Sequence, residues 1–314
     1  MLLEIYWETM SKEMGLFYPD GKFKSDNEIR KEFVSKTIFD SSTELLRRAR
    51  ALEGVMEVGC KEATFHPKPQ YLDKPIVIWH ATDIHYGSIR TDYDLLLKHL
   101  NILESTPNTY VIMNGDEVDN FNVMLSKAST GVFENPLSPQ RQSEAFIEKL
   151  KQLGQRGKIA VISFGNHNNF MAGSGYEWLE TFGRDVRTSI FTSGGLLHLL
   201  VGEQHYPIAI THMYWGNSKL NPTNMGKRFW EHEYPEAEVV LLGHTHQSEL
   251  LTWERGGKER LISIGGTYKQ DDRWAREHGI GGRSGQPGHA IVFFPYEHKF
   301  IGYKHLEDAV KWVK

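Results

Sequence analysis

Along most of the chain, apolar positions come in short runs, each closed by a polar cluster. Such runs fall at Pro75–Trp79, Tyr110–Met113, Ile159–Phe164, Leu196–Val201, Pro207–Ile210, Val239–Leu242, Leu261–Ile264 and Ala290–Phe294. Runs this short, bounded by turn residues, predict buried β-strands. Helical spacing lies between the early ones. Asp92 caps a segment over Tyr93–Ser105, and Ser138 caps one over Pro139–Leu153, with Pro139 at the first helical position and Gly154 as the stop. Strand–helix–strand alternation predicts an α/β domain over residues 71–314. The later strands are separated only by turns, which predicts a second, more antiparallel sheet.

Residues 1–70 read differently. Ser25 with Glu28 and Ser41 with Glu44 fit the capping-box pattern, so two short helices and no strand are expected there, as a helical N-terminal extension. A helix pair could read DNA. From Lys22 to Lys68, however, ten Lys/Arg face eight Asp/Glu, a balance that favours packing over phosphate contact. His66-Pro67-Lys68-Pro69-Gln70 reads as a linker.

Composition narrows the class. With 39% hydrophobic and 24% charged residues in 314, the chain can bury a sizeable core and is not a disordered polymer. A net charge of −4 argues against coating nucleic acid by bulk charge. The single cysteine, Cys60, allows no internal disulfide and points to a reducing compartment. Neither a signal-peptide pattern nor a membrane-length apolar run is present, so a cytoplasmic protein is expected.

Five polar clusters follow the predicted strands: Asp83-Ile84-His85, Gly115-Asp116-Glu117-Val118-Asp119-Asn120, Gly165-Asn166-His167-Asn168, Thr211-His212 and Gly243-His244-Thr245-His246. In α/β sheets ligands gather at the carboxyl ends of strands, where distant segments converge. Carboxylate, imidazole and amide oxygen together suit Mn²⁺, Fe or Zn²⁺. GNH, GHxH and GDxxD are each expected roughly 0.05–0.07 times by chance in a chain of this composition, so the ordered set is a far stronger signal than any one motif. His212 alone would read as a structural histidine; the series makes it a ligand candidate. His80, His99, His198, His205 and His298 have no such context and read as structural or surface residues.

The ordered set Asp83-x-His85, Gly115-Asp116-x-x-Asp119, Gly165-Asn166-His167, His212 and Gly243-His244-x-His246 resembles the calcineurin-like metallophosphoesterase superfamily, in its bacterial and phage type. The resemblance implies a sandwich of two mixed β-sheets flanked by helices. It also implies a binuclear centre of two divalent ions, Mn²⁺ first, with Fe or Zn²⁺ as alternatives. Asp83, His85 and His246 would hold one ion, Asn166, His212 and His244 the other, and Asp116 would bridge them. A metal-bridging hydroxide would attack the phosphate. His167 would face the scissile phosphate as charge stabiliser or proton donor, with Asp119 as the carboxylate that holds its ring. Asn168 departs from the Asp or Glu usual after GNH.

Substrate contacts are expected from Gly265–Arg276, where Lys269, Arg273 and Arg276 mix with Tyr268 and Trp274. Five glycines from Gly279 to Gly288 suggest a mobile flap, and Tyr86, Tyr214 and Trp215 could line a rim or lie in the core. The expected activity is hydrolysis of a phosphodiester, on a nucleotide or nucleic acid among other phosphate esters. A DNA nuclease of the same fold, a phosphomonoesterase and a non-catalytic protein-binding scaffold are the alternatives.

Overall fold

Strands at 76–81, 109–114 and 159–163 are apolar at nearly every position because each is covered on both faces. The computed structural model describes residues 60–71, 73–120, 135–169, 188–216, 218, 220–270 and 287–314. The two expected N-terminal helices, the end of the expected substrate segment including Arg273, Trp274 and Arg276, and most of the flap expected from Gly279 to Gly288 lie outside the described residues.

Twelve strands form two six-stranded mixed sheets. The first has the order β12 (Phe300–Tyr303), β11 (His289–Phe293), β2 (Ile76–Ala81), β3 (Thr109–Asn114), β4 (Ile159–Ser163), β5 (Ser189–Phe191). The second runs β1 (Glu62–Phe65), β6 (Gly195–Val201), β7 (Gln204–Ile210), β8 (Val239–Leu242), β10 (Lys258–Ile264), β9 (Glu249–Arg255). In the first sheet β2, β3, β4 and β5 run parallel, and in the second β7, β8 and β10 do.

The second sheet is therefore not the more antiparallel of the two. Helix α3 (Asn224–His232) carries the chain from β7 over to a parallel β8, a crossover that the apolar pattern does not reveal. Its Thr223 hydroxyl donates to Asn221 Oδ1 at 3.0 Å and does not cap the first turn, so the usual capping bond is missing. A strand also forms where none was expected: β1, Glu62–Phe65, pairs in parallel with β6 at the sheet edge.

Three apolar layers hold the molecule together. One lies between the first sheet and helices α1 (Tyr93–Ser105) and α2 (Pro139–Gln155), around Trp79, Leu96, Phe146 and Leu150. A second fills the space between the sheets, around Ile78, Ile112, Tyr206, Ile208 and Phe293. The third lies under α3, around Met225, Phe229, Leu242 and Ile262. Helix α1 starts at the expected cap, with Asp92 accepting from the Leu95 N–H at 3.0 Å. Helix α2 passes through Gly154 to Gln155 before it stops. No described helix is long and apolar enough to cross a membrane.

Candidate metal centre

All five polar clusters sit just past the carboxyl ends of parallel strands: β2, β3 and β4 in the first sheet, β7 and β8 in the second. The turns that follow are tight. Asp83, His85, Asp116, Asn120, His244 and His246 all have left-handed backbone, with φ between 48° and 69°. Two motif glycines are there because nothing larger fits. A Cβ on Gly165 would lie 2.1 Å from Asp116 Oδ1, and one on Gly243 would lie 2.0 Å from Thr82 Oγ1 and 2.5 Å from Asp83 Oδ2.

Each carboxylate has one oxygen tied down and one turned inward. Asp83 Oδ2 accepts from Thr82 Oγ1 (2.7 Å) and the His244 N–H (2.9 Å). Its Oδ1 is buried without a hydrogen-bond partner, 3.3 Å from His246 Nε2 and 3.9 Å from both His85 Nε2 and His212 Nε2. Asp116 Oδ1 accepts from the His167 N–H at 2.9 Å, while Oδ2 lies 3.1 Å from His212 Nε2. That approach is close, yet it is not aligned as a hydrogen bond, and His212 Nε2 has no partner.

The imidazoles are oriented from behind. His212 Nδ1 donates to the Asn114 carbonyl at 2.7 Å, which turns Nε2 toward the carboxylates. His85 Nδ1 donates to Asp119 Oδ1 at 2.8 Å, so its Nε2 presents a lone pair 3.1 Å from His246 Nε2. His244 Nδ1 and Asn166 Oδ1 lie 2.7 Å apart. Donor atoms converge within 4.8 Å in three sets: Asp83, His85 and His246; Asp116, His212 and His244; and His85, Asp116 and His167. Oxygen and imidazole nitrogen from separate loops, with two buried atoms left unpaired, make a donor set that fits divalent cations.

The electrostatics agree. Burial alone would lower the His212 pKa, but the Asp116 and Asp83 carboxylates raise it to about 10. Burial would likewise raise Asp116, yet His212 and its neighbours hold it well below the usual carboxylate range. The cluster thus demands positive charge at its centre, which a bound cation supplies without a proton. His85, desolvated, falls to about 4 and offers a neutral ring.

Two expected roles are rearranged. His167 does pair with Asp119, but its Nδ1 donates to the Asp119 main-chain carbonyl; the carboxylate goes to His85. Lys269, expected to face phosphate, is instead 96% buried and donates to both Asp119 oxygens, at 3.0 and 3.3 Å. Asn135 adds a third contact to that carboxylate at 2.8 Å. Burial would push Asp119 up, but Lys269 and His85 hold it well below the ordinary range. Asp119 thus acts as the carboxylate behind a candidate ligand histidine, an arrangement that fixes ring orientation. The reason sequence reading misses it is distance: Lys269 is 150 residues from Asp119.

Among the expected rim residues, Tyr86 packs against Tyr93 and Phe146, and the Tyr214 hydroxyl bonds Glu233. Trp215 is exposed, with the Arg228 guanidinium 4.2 Å above its ring. Cys60 is exposed and belongs to none of the three donor sets. The side chain of Asn168 lies outside the described residues.

Two mixed sheets carry, at their parallel strand ends, histidine–carboxylate sets that could hold metal ions. The sequence model of the calcineurin-like phosphoesterase family matches residues 76–248, and the chain belongs to that family. Its members are metal-dependent phosphoesterases. Solved structures with similar folds include a candidate 5′-nucleotidase from Staphylococcus aureus (14% identity, 73% of this chain and 53% of that one, TM-score 0.43). Others are Vacuolar Protein Sorting 29 from Cryptosporidium parvum (16%, 74% and 97%, 0.38) and the calcineurin-like phosphoesterase YfkN from Bacillus subtilis (12%, 70% and 85%, 0.37). The chain spans about half the length of the S. aureus protein. No curated protein sequence matches it.

Proposed function

We propose that the chain hydrolyses a phosphodiester at a binuclear centre. Asp83, His85 and His246 hold one divalent ion, Asn166, His212 and His244 hold the other, and Asp116 is shared. The observation that carries this reading is the membership of Asp116: it falls in one donor set with His212 and His244 and in another with His85 and His167. When bound, such ions neutralise phosphoryl charge and activate water as the nucleophile. The mixed oxygen–imidazole donors suit Mn²⁺, with Fe or Zn²⁺ next.

The chain's own groups do the rest. Thr82 and the His244 N–H fix the Asp83 carboxylate, and Asp119, neutralised by Lys269, fixes His85. His167 is held by its Nδ1–H on the Asp119 carbonyl, and as an imidazolium it would give its Nε2 proton to the departing oxygen. The exposed Trp215–Arg228 stack, three residues past His212, favours a nucleic-acid diester as a second reading.

The test uses metal-depleted protein titrated with Mn²⁺ and assayed on bis-p-nitrophenyl phosphate, p-nitrophenyl phosphate and single-stranded DNA. Two equivalents bound and turnover of the diester are expected, and His85→Ala and His244→Ala should each empty a different ion by anomalous scattering. Turnover of the monoester alone would overturn the diester assignment. Loss of the same ion from both variants would overturn the partition.

A further inference from the structure

The inter-sheet core ends in polar side chains directly behind the candidate centre. Its inward face reads Ile76, Ile78, His80 on β2; Tyr110, Ile112, Asn114 on β3; Phe293, Ile291, His289 on β11; and Leu261, Ser263 on β10. Strand periodicity extends an apolar stripe to each of these four places, and each instead carries a polar side chain with no exposure. His80 and His289 face each other across the β2–β11 register, and Ser263 reaches between them from the opposite sheet. The function described above uses none of His80, Ser263 and His289.

Their hydrogen bonds allow only one arrangement of protons. Asn114 Nδ2 donates to the Thr211 carbonyl at 3.1 Å, which sets the amide orientation, since an oxygen there would face another oxygen. The second amide hydrogen goes to His80 Nε2 at 3.1 Å, so that nitrogen holds the lone pair. Burial drops His80 to about 3 and keeps the ring neutral, which puts its proton on Nδ1. Nδ1 donates to Ser263 Oγ at 2.9 Å. The single hydroxyl proton must then go to His289 Nδ1, also at 2.9 Å. His289, likewise neutral with its pKa lowered by burial to about 4, donates from Nε2 to Ser248 Oγ at 2.8 Å.

One end of this one-way chain bonds the segment of a candidate ligand, and the other ends on the loop that carries another. At one end Asn114 grips the His212 segment twice, by its amide on the Thr211 carbonyl and by its own carbonyl on His212 Nδ1. At the other, Ser248 lies two residues past His246. We propose that Asn114, His80, Ser263, His289 and Ser248 form a positioning relay that ties the His212 loop to the His246 loop and holds both imidazoles ready for divalent cations. The proposal rests on the metal-binding reading of those two histidines. Relay members are positioning residues and touch no substrate.

Two measurements test it. ¹⁵N NMR of the imidazoles in the metal-free full chain should show His80 as the Nδ1–H tautomer and His289 as the Nε2–H tautomer. The opposite tautomers, or averaged ones, would overturn the relay whether or not metal binds. Mn²⁺ titration should then show 10–100-fold weaker binding of the ion held by His212 in His80→Leu and Ser263→Ala, the usual scale for groups behind a ligand. His80→Gln keeps an acceptor toward Asn114 and should restore most of that affinity; His289→Leu should instead weaken the ion held by His246. Wild-type affinity at both ions in folded His80→Leu, Ser263→Ala and His289→Leu would overturn the positioning role. A wild-type chain that binds no Mn²⁺, Zn²⁺ or Fe²⁺ while keeping the stated tautomers would refute the metal centre and, with it, the purpose assigned to the relay.

Discussion

Replacing Lys269 by Met keeps the stem volume and removes the cation from a buried carboxylate. The ammonium lies 3.0 Å from Asp119 Oδ1, and the two side chains are 4% and 0% exposed. At an effective dielectric of ~20, unit charges at that distance attract by ~5 kcal/mol. Removing one partner of such a pair ordinarily costs about 3–5 kcal/mol, because the other charge stays buried. His85 and Asn135 still donate to Asp119, so the lower end, ~3 kcal/mol, is expected. The pH dependence has a definite sign. Asp119 is depressed in the folded protein, so its contribution is complete above the unfolded carboxyl pKa near 4 and fades as pH falls toward the folded value. Lys269→Met should therefore show its full deficit at pH 7 and a smaller one at pH 3. Urea denaturation of metal-free protein measures both. In the double variant Lys269→Met/Asp119→Asn the buried charge is gone, and stability should recover part of the loss. A single-variant cost below about 1 kcal/mol at pH 7, or a double variant no more stable than the single, would refute the assignment of Lys269 as the counter-ion of Asp119.

Asp116→Asn should abolish turnover and reduce the bound metal, measured by elemental analysis, since the proposed centre makes Asp116 the one donor common to both ions. His167→Ala should keep both ions and lower kcat by ~10²–10⁴. Its defect should be small on nitrophenyl esters, whose leaving group needs no proton, and large on alkyl or nucleoside diesters. Gly243→Ala should displace Thr82 and Asp83, costing ~1–3 kcal/mol in a melt and selectively weakening the ion assigned to Asp83 in a Mn²⁺ titration.

Much of the fold can be read from apolar runs because the central strands are buried on both faces. The strands at 76–81, 109–114, 159–163, 195–201, 204–210, 239–242, 258–264 and 289–293 all coincide with such runs. Those that escape are edge or near-edge strands with a different physics. Strand β9, Glu249–Arg255, pairs on one side only and keeps a half-exposed surface, so it shows no stripe. Strand β5 has three residues and β12 has four, one of them Gly302, too few for a period to register. Ligand-type residues were legible at the centre because carboxylate and imidazole are rare together at strand ends. Their supports were not. Asn114, Ser263 and Lys269 act through side-chain direction and through contacts many residues away, and neither is encoded in local spacing.

One conformational feature explains why the spacing of the ligand candidates is readable at all. Among the described residues, seven non-glycine positions have left-handed backbone, and every one is Asp, Asn or His. These side chains tolerate that region several-fold better than others, so the residue types that bind metal are also those that bend the chain at least cost. In Asp83-x-His85 and His244-x-His246 the bend occurs twice, two residues apart, and both side chains of each pair join the same donor sets or their neighbours. Main-chain bonds between loops hold the bends in place: Asp83 N–H to the Gly115 carbonyl, His85 N–H to the Asp116 carbonyl, Gly243 N–H to the His212 carbonyl. Each left-handed residue stores of order 1 kcal/mol, and the sites persist because packed strands on both sides leave the turns no alternative. The donor atoms are thus placed by the fold itself, and little energy would be needed to order them around a cation. It follows that a substitution such as His85→Leu would remove a candidate ligand and a tolerated bend together. His85→Asn, which accepts the same backbone, is the variant that isolates the loss of the imidazole.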